Sequence, residues 1–206
     1  HRHPDHIAGT PELQAKLGGL PIYGPSSIAA VTHPLQDGDA FSIALMPSLN
    51  VQVLYTPGHT DDHLCYHINQ QHLFCGDVLF SAGCGRIFPL LGGNLPDAYQ
   101  SIQKLTTLPD DTLIYCAHEY TLSNLNFALD LLPNDAELLA AKADALQCQA
   151  EQRPTLPSTL GREKRINLFL RCHEAALHTA LSAHLGHALN HPFEVFTALR
   201  TLRNQY

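Results

Sequence analysis

The sequence has few charged residues and no long apolar run. Only 15% of its 206 residues are charged, and 12 Lys and Arg stand against 19 Asp and Glu, for a formal net charge of −7. A chain that is 45% hydrophobic and so weakly charged is typical of a folded globular protein. The acidic balance gives no electrostatic footprint for nucleic acid, and no apolar run approaches the roughly 18 residues of a membrane span. We therefore expect a soluble protein that binds neither nucleic acid nor membrane.

The six cysteines include no CxxC pair and are scattered along the chain. A chain of this length can form a hydrophobic core without disulfides. We expect reduced thiols and a cytoplasmic protein. No secretory signal or transit peptide is visible, but the first residue is His rather than Met, which suggests a trimmed chain.

The pattern of hydrophobic residues changes once along the chain. Residues 50–55 alternate apolar and polar side chains as a half-buried strand does, and Pro57-Gly58 ends the pattern. Helical patterns dominate after Tyr120, so we predict an α+β protein with two domains, 1–118 and 119–206. Further strands are predicted at 41–45, 63–68, 72–75 and 113–116, and helices at 10–17, 97–107, 121–132, 135–153 and 193–205.

Histidine is unusually frequent, with 14 residues, and the chain opens with His1-Arg2-His3-Pro4-Asp5-His6. Side chains at positions 1 and 3 of an extended segment point the same way, while Asp5 and His6 follow the proline and can face a second point. The spacing permits two metal ions. The alternative interpretation is a remnant of an expression tag.

Three further candidate ligands, His59, Asp77 and His118, each follow a β-type run. Residues at strand ends can cluster at one edge of a sheet although they lie far apart in the chain. Glycine precedes both His59 and Asp77 and lets the backbone turn closely enough to direct the ligand. We expect these side chains to join those of the first six residues.

These motifs, in this order, resemble those of the metallo-β-lactamase superfamily and, within it, the glyoxalase II or hydroxyacylglutathione hydrolase family. The resemblance spans nearly the whole chain and includes His-x-His-x-Asp-His, Gly58-His59-Thr60 and Gly76-Asp77. Residues 80–86, 117–121 and 157–160 are similar to glyoxalase II segments in particular. The resemblance implies the metallo-β-lactamase αββα sandwich, lacking its first strands, followed by a C-terminal helical domain that binds substrate.

The resemblance also implies a dinuclear metal centre and a glutathione site. His1, His3 and His59 would hold one metal, Asp5, His6 and His118 the other, and Asp77 would bridge the two as the catalytic residue. We expect two divalent ions, zinc first, with iron or manganese as alternatives because His and Asp suit all three. The implied glutathione contacts are Arg86, Phe88, Tyr120, Arg200 and Arg203.

The implied activity is hydrolysis of the thioester S-D-lactoylglutathione, an S-2-hydroxyacylglutathione, to glutathione and D-lactate, the last step of methylglyoxal detoxification. Water activated between two metals is the expected nucleophile, and the small-molecule thioester is the expected partner of a monomeric enzyme. Two alternatives remain: a related dinuclear hydrolase of another thioester, a lactam or a phosphodiester, and an inactive truncated fragment.

Several features depart from the family or stand apart from its motifs. Phe88 occupies a position where many members have tyrosine, and residues 89–93 lack the expected acidic stretch. Without the family's first strands, one sheet should expose apolar surface and open edges, so we expect a longer parent to be the functional species.

Other Asp and His residues are not expected to be ligands. Asp61 and Asp62 are interpreted as turn and cap residues. Five histidines between 173 and 191 are interpreted as solvated surface, although His184, His187 and His191 have a spacing that could line one helix face. His33, His63, His67 and His72 are interpreted as structural or exposed.

Overall fold

A computed structural model of the chain describes residues 1–44 and 47–206. Within these residues the strands are β1 (Tyr23–Gly24), β2 (His33–Pro34), β3 (Ala40–Ile43), β4 (Leu49–Tyr55), β5 (Leu64–Ile68), β6 (His72–Gly76), β7 (Leu79–Phe80), β8 (Gly83–Cys84), β9 (Leu113–Cys116) and β10 (Ser158–Thr159). The α-helices are α1 (Pro4–Ile7), α2 (Thr10–Lys16), α3 (Leu95–Thr106), α4 (Thr121–Leu131), α5 (Ala136–Ala150), α6 (Leu160–Ile166), α7 (Ala175–Leu185) and α8 (Pro192–Gln205). None of these helices has both the length and the apolar character that a membrane crossing requires.

A six-stranded sheet in the order β10-β9-β6-β5-β4-β3 forms the centre of the fold. Strands β3 to β6 are successive antiparallel neighbours, whereas β9 pairs parallel to β6. The C-terminal ends of β6 and β9 therefore lie at the same edge of the sheet. The register of β6 shifts between Phe74 and Gly76, directly before Asp77. Irregularities of this kind redirect side chains at the ends of strands.

The two faces of the sheet differ in what covers them. Leu54, Cys65 and Leu73 belong to a buried cluster that continues into Ile102 of α3 and into the C-terminal helices. On the other face Phe74 stacks on Tyr115 with ring centroids 4.9 Å apart and remains 44% exposed. Part of this second face is therefore exposed aromatic surface.

Most of the predicted elements are present with small shifts. The helix predicted at 97–107 begins two residues earlier, because Asn94 caps it and accepts a hydrogen bond from the Asp97 amide at 2.9 Å. The strand predicted at 41–45 is β3, and Leu45 lies outside the described residues. The short helix α1 and the helices α6 and α7 were not predicted.

The histidines between 173 and 191 do not form a single helix face. Helix α7 ends at Leu185 with Gly186 as its C-cap, and His191 is the N-cap of α8, so His184, His187 and His191 do not share one helix. His178 also departs from the predicted solvated surface: it is half-buried, and its ring nitrogens lie 2.8 Å from the Cys172 carbonyl oxygen and 3.2 Å from that of Leu189. The other four are exposed, as predicted.

A largely buried arginine ties the C-terminal helices together. Arg171 is 7% exposed, and its guanidinium donates to Asp135 at 2.6 Å and to Glu174 at 2.8 Å. Burial alone would raise the pKa of Asp135, but the hydrogen bond and charge of Arg171, together with backbone hydrogen bonds at the start of α5, outweigh it and lower that pKa below its ordinary value of 3.8. The ion pair therefore stabilises the fold above pH 3.8 and loses its contribution as the pH falls through the folded pKa.

We expect Asp135→Asn to lower the free energy of unfolding at pH 7 by about 1–3 kcal/mol, since a charge-assisted hydrogen bond is lost. Asparagine can still cap α5, so the helix should persist. Urea unfolding followed by circular dichroism measures the effect, with the exposed Asp111→Asn as control. The difference from wild type should shrink below pH 3.8; a difference independent of pH would contradict the assignment.

Candidate metal centre and adjoining pocket

The seven predicted ligands meet at one edge of the sheet. His1 and His3 lie in an extended segment, and Asp5 and His6 lie in the helix α1 that Pro4 begins. His59, Asp77 and His118 follow β4, β6 and β9 respectively. Their potential ligand atoms form two groups in which all atoms lie within 4.8 Å of one another: His1, His3, His59 and Asp77, and Asp5, His6, Asp77 and His118.

The first group has the dimensions of a tetrahedral metal site. His3 Nδ1 lies 2.9 Å from His1 Nε2 and 3.0 Å from His59 Nε2. Asp77 Oδ2 lies 3.4 Å from His59 Nε2 and 3.6 Å from His1 Nε2. Metal–ligand bonds of about 2.0–2.2 Å place the ligand atoms of a tetrahedron roughly 3.3–3.6 Å apart. The spacing of this group is close to that requirement.

The second group uses the other oxygen of the same aspartate. Asp77 Oδ1 lies 3.4 Å from His6 Nε2 and 3.7 Å from His118 Nε2. Asp5 Oδ2 lies 3.1 Å from His118 Nε2 and 3.7 Å from His6 Nε2. Asp77 thus gives one carboxylate oxygen to each group, which is the arrangement that a bridging ligand requires.

The polar atoms of the centre are not satisfied by the protein alone. Asp77 Oδ1 is buried and has no hydrogen-bond partner among the described residues. His59 Nδ1 lies 2.6 Å from the Arg86 carbonyl oxygen, which can only accept, so the proton is on Nδ1 and the lone pair of Nε2 faces the other ligands. A single proton on His3 Nδ1 can serve only one of its two nitrogen neighbours. Cations among these atoms would satisfy all of them, so the residues fit a pair of divalent ions.

The carboxyl of Asp77 is strongly biased toward its charged form. Burial by itself would raise the pKa of Asp77, but the neighbouring His59 and His6 together outweigh it and hold that pKa well below its usual range. Ionised carboxylate is the form that binds metal. The centre therefore presents Asp77 ready for coordination.

His63 holds the backbone of Asp77 through a hydrogen bond, a role that the sequence analysis missed. It is 1% exposed, and its Nε2 accepts a hydrogen bond from the Asp77 amide at 3.2 Å. Its Nδ1 proton therefore points to Thr56 Oγ1, 3.1 Å away. The signal was the second histidine of Gly58-His59-Thr60-Asp61-Asp62-His63, four residues after a predicted ligand.

Arg2 fastens the segment that carries His1 and His3 to the loop that carries His59. Its guanidinium forms ion pairs with Asp61 and, at 3.2 Å, with Asp62 Oδ2. The turn predicted at these two aspartates is present, and both also pair with Arg2. The exposure of Asp62 is only 8%.

A cavity of about 630 Å³ opens beside the metal centre. It is lined by all five residues predicted to contact glutathione, Arg86, Phe88, Tyr120, Arg200 and Arg203, and by residues that the sequence analysis did not select, Phe80, Cys84, Ser123, Asn124 and Tyr206. Phe88 packs edge-on against His3 and His59, with centroids 4.6 and 5.1 Å apart. The aromatic ring therefore borders the ligand cluster directly.

The three arginines of the cavity differ in exposure and in the number of hydrogen bonds that they make within the protein. Arg86 is exposed. Arg200 is 3% exposed and donates to the Cys84 carbonyl oxygen at 2.7 Å, so much of its hydrogen-bonding capacity serves the backbone. Arg203 donates to Ser123 Oγ at 2.8 Å and lies over the Tyr206 ring.

Gly58 sets the path of the backbone into His59. Its φ is +131°, and a Cβ at this position would lie 2.3 Å from the Ala98 Cα. We expect Gly58→Ala to lower the free energy of unfolding by at least about 2 kcal/mol, because the contact is with backbone that cannot yield cheaply. Urea unfolding measures this, with Gly9→Ala as control because no atom lies within 4 Å of its added Cβ. Equal losses in the two variants would disprove the explanation.

Comparisons with known proteins identify the family of the chain and agree with its fold. The family described as hydroxyacylglutathione hydrolase C-terminus matches residues 119–206, and the metallo-beta-lactamase superfamily matches residues 1–118. The hydroxyacylglutathione hydrolase of Nitrosomonas eutropha is 44% identical over 208 residues, which cover 100% of this chain and 79% of that protein. That of Pectobacterium carotovorum is 44% identical over 206 residues, covering 99% and 78%. The solved structure of ETHE1 from Myxococcus xanthus superposes with a TM-score of 0.61 at 25% identity, covering 98% of this chain and 73% of that one.

The fold class predicted from the sequence is confirmed: a metallo-β-lactamase type α+β fold is followed by a C-terminal helical region. The superfamily is one of divalent metal-binding proteins, in agreement with the two groups of ligand atoms. The chain belongs to the hydroxyacylglutathione hydrolase, or glyoxalase II, family of the metallo-β-lactamase superfamily.

Proposed function

We propose that the protein hydrolyses S-D-lactoylglutathione, an S-2-hydroxyacylglutathione thioester, to glutathione and D-lactate. The observation that carries the proposal is the position of a two-group ligand cluster at the end of a cavity that also contains three arginines. A thioester bond can reach the cluster while the glutathione carboxylates lie near the arginines. The relatives named hydroxyacylglutathione hydrolase support the same assignment.

Two divalent ions, zinc first, are the proposed cofactors. His1, His3 and His59 would hold one, Asp5, His6 and His118 the other, and Asp77 both. A bound pair of such ions lowers the pKa of water toward neutrality and polarises a carbonyl oxygen. Asp77 is suited to bridging because a buried negative charge offsets the repulsion between two close cations.

The chain's own residues orient the ligands and the substrate. The Arg86 carbonyl fixes the proton of His59 on Nδ1, and His63 fixes the position of the Asp77 backbone. Phe88 packs edge-on against His3 and His59 and so helps to hold these two rings in place. The leaving thiolate has a reference pKa of about 8.5, so it departs without a dedicated general acid.

Binding of glutathione depends on local rather than overall charge. The chain carries a net charge of −7, which repels an anionic substrate at long range. Arg86 and Arg203 place positive charge in the cavity, where it opposes this repulsion. Tyr120 lines the same cavity and stacks on His118, with centroids 5.2 Å apart.

The direct test is thiol release from S-D-lactoylglutathione by the purified, metal-loaded protein, with metal content measured on the same sample. We expect hydrolysis and two metal equivalents per chain. A β-lactam and a phosphodiester serve as comparison substrates. A folded protein that holds two equivalents but leaves the thioester intact would overturn the proposal, and hydrolysis of a comparison substrate would redirect it.

The cellular and domain-level assignments are also proposals. All six cysteines lie in the described residues as free thiols, which supports a reducing compartment and the proposed cytoplasmic location. We retain the division into 1–118 and 119–206, although one hydrophobic cluster includes residues from both segments. The monomeric state stays a prediction.

A further inference from the structure

A fully buried carboxylate lies in the C-terminal helical region, away from the ligand cluster. Glu163 of α6 is 0% exposed. Its oxygens accept hydrogen bonds from the Ala82 amide at 2.7 Å, Ser158 Oγ at 2.6 Å, Ser81 Oγ at 3.1 Å and Asn167 Nδ2 at 3.3 Å. A buried carboxyl is tolerated only when its oxygens are so satisfied. Two of these four donors, Ser81 and Ala82, belong to one short segment, residues 80–86.

The 80–86 segment follows Asp77 and is held by side chains from the helical region. Asn167 Nδ2 donates to the Gly83 carbonyl oxygen at 2.9 Å and to that of Phe80 at 3.2 Å. Asn124 Nδ2 donates to the Ser81 carbonyl oxygen at 2.9 Å. Ala82 has a φ of +57°, a conformation that needs such support in a residue other than glycine. The helices thus determine the backbone path of this segment.

The far end of the 80–86 segment contacts the metal centre. The Arg86 carbonyl oxygen receives the proton of His59 Nδ1 at 2.6 Å. Gly85 lies so close to Asp77 that an added Cβ would overlap the Asp77 carbonyl oxygen. A shift of the segment would therefore disturb a ligand of the first group and the arginine side chain that faces the cavity.

We propose that Glu163 is a positioning residue for the metal centre: its hydrogen bonds to Ser81 and Ala82 fix the 80–86 segment so that Arg86 presents its carbonyl to His59 and its side chain to the cavity. Glu163 touches neither the ligands nor the cavity and acts through the segment alone. The part that concerns Arg86 and substrate rests on the proposed function, whereas the part that concerns His59 does not.

The chemistry of the four partners makes a conservative variant informative. One oxygen of Glu163 accepts from two N–H groups, and the other accepts from two hydroxyls. Hydroxyls can accept as well as donate, so a glutamine can keep its oxygen on the N–H groups and give its amide to the serines. Leucine has a comparable size but can make none of these bonds. Glutamine should therefore preserve the segment, and leucine should release it.

The experiment compares Glu163→Leu and Glu163→Gln with wild type, by chelator competition for each bound zinc equivalent and by KM and kcat for S-D-lactoylglutathione. In the leucine variant we expect one of the two zinc equivalents to bind about 10–100-fold more weakly, the usual effect of losing support for a metal ligand. KM should rise as Arg86 moves. The glutamine variant should restore both quantities toward wild type.

The matched control is Asp135→Asn, which weakens the same helical region through bonds to Arg171 and the Leu138 amide rather than to the 80–86 segment. It should lower stability and leave zinc affinity unchanged. If Glu163→Leu does not fold, Ser81→Ala removes one of the bonds and should weaken the same zinc equivalent to a smaller extent. Unchanged zinc affinity in the leucine variant, or an equal loss in the control, would overturn the inference. Wild-type protein that binds zinc but lacks hydrolysis would instead overturn only the proposed function.

Discussion

Replacing Asp77 by asparagine is expected to lower kcat/KM for S-D-lactoylglutathione by about 10³-fold or more, the largest effect of any single change here, since a metal pair contributes several kcal/mol. The carboxylate gives one oxygen to each group of ligand atoms. Asparagine has one oxygen and no charge, so it can serve only one group. At least one metal equivalent should be lost.

Metal analysis and steady-state kinetics on the same preparation measure the effect of Asp77→Asn. Asp111→Asn is the matched control because it removes the same charge from an exposed turn residue. We expect it to retain both metal equivalents and wild-type rates. Retention of two equivalents and near-normal activity by the Asp77 variant would show that Asp77 does not bridge the ions.

The ligand cluster could be predicted from the sequence because each ligand lies in a short motif at a strand end. The spacing of His1, His3, Asp5 and His6 is local, and the sheet then brings His59, Asp77 and His118 to the same edge. The helix α1 did not need to be foreseen, since the proline already separated the two pairs. Short-range pattern and strand order were sufficient here.

The residues that support the cluster could not be predicted in the same way. Glu163 bonds to Ser81 and Ala82 across more than 80 positions of the chain, and no periodicity marks a buried polar pair of that separation. Arg2 and His63 were visible as residue types, but their partners depend on how the loops pack. Three-dimensional packing supplies this information.

The missed helix α7 has a different cause. Its sequence from Ala175 to Leu185 combines alanines and leucines with two histidines and shows no clear apolar stripe. Amphipathic periodicity is the main sequence signal for a surface helix, so a helix without it is overlooked. Leu177 and Leu181 are nevertheless fully buried, which shows that packing rather than pattern stabilises it.

Arg200 and Arg203 illustrate how far spacing alone can carry a functional prediction. Their separation of three residues places them on one face of α8, as predicted, and both line the cavity. The spacing could not show that Arg200 donates to the Cys84 carbonyl oxygen, 116 residues earlier in the chain. Arg200 therefore combines a structural contact with its place in the cavity, whereas Arg86 is exposed.

Arg86→Gln is expected to raise KM for S-D-lactoylglutathione by about 10–100-fold, because a charge-assisted hydrogen bond to a carboxylate contributes about 1.5–3 kcal/mol. The affected carboxylate lies away from the thioester, so ground state and transition state should lose equal binding energy and kcat should change little. The backbone carbonyl that accepts from His59 remains in the variant. Metal content should therefore stay at the wild-type value.

Kinetics at low and high salt distinguish a direct contact between Arg86 and the substrate from long-range attraction by positive charge. Arg153→Gln removes one positive charge from an exposed ion pair elsewhere and is the matched control. If Arg86 binds the substrate directly, its variant should retain a raised KM at high salt, where long-range attraction is screened, while the control stays near wild type. Arg200→Gln should differ from both, because loss of its bonds to the 84–85 carbonyls lowers stability as well as affinity. A normal KM for Arg86→Gln would place the glutathione carboxylates on other residues of the cavity.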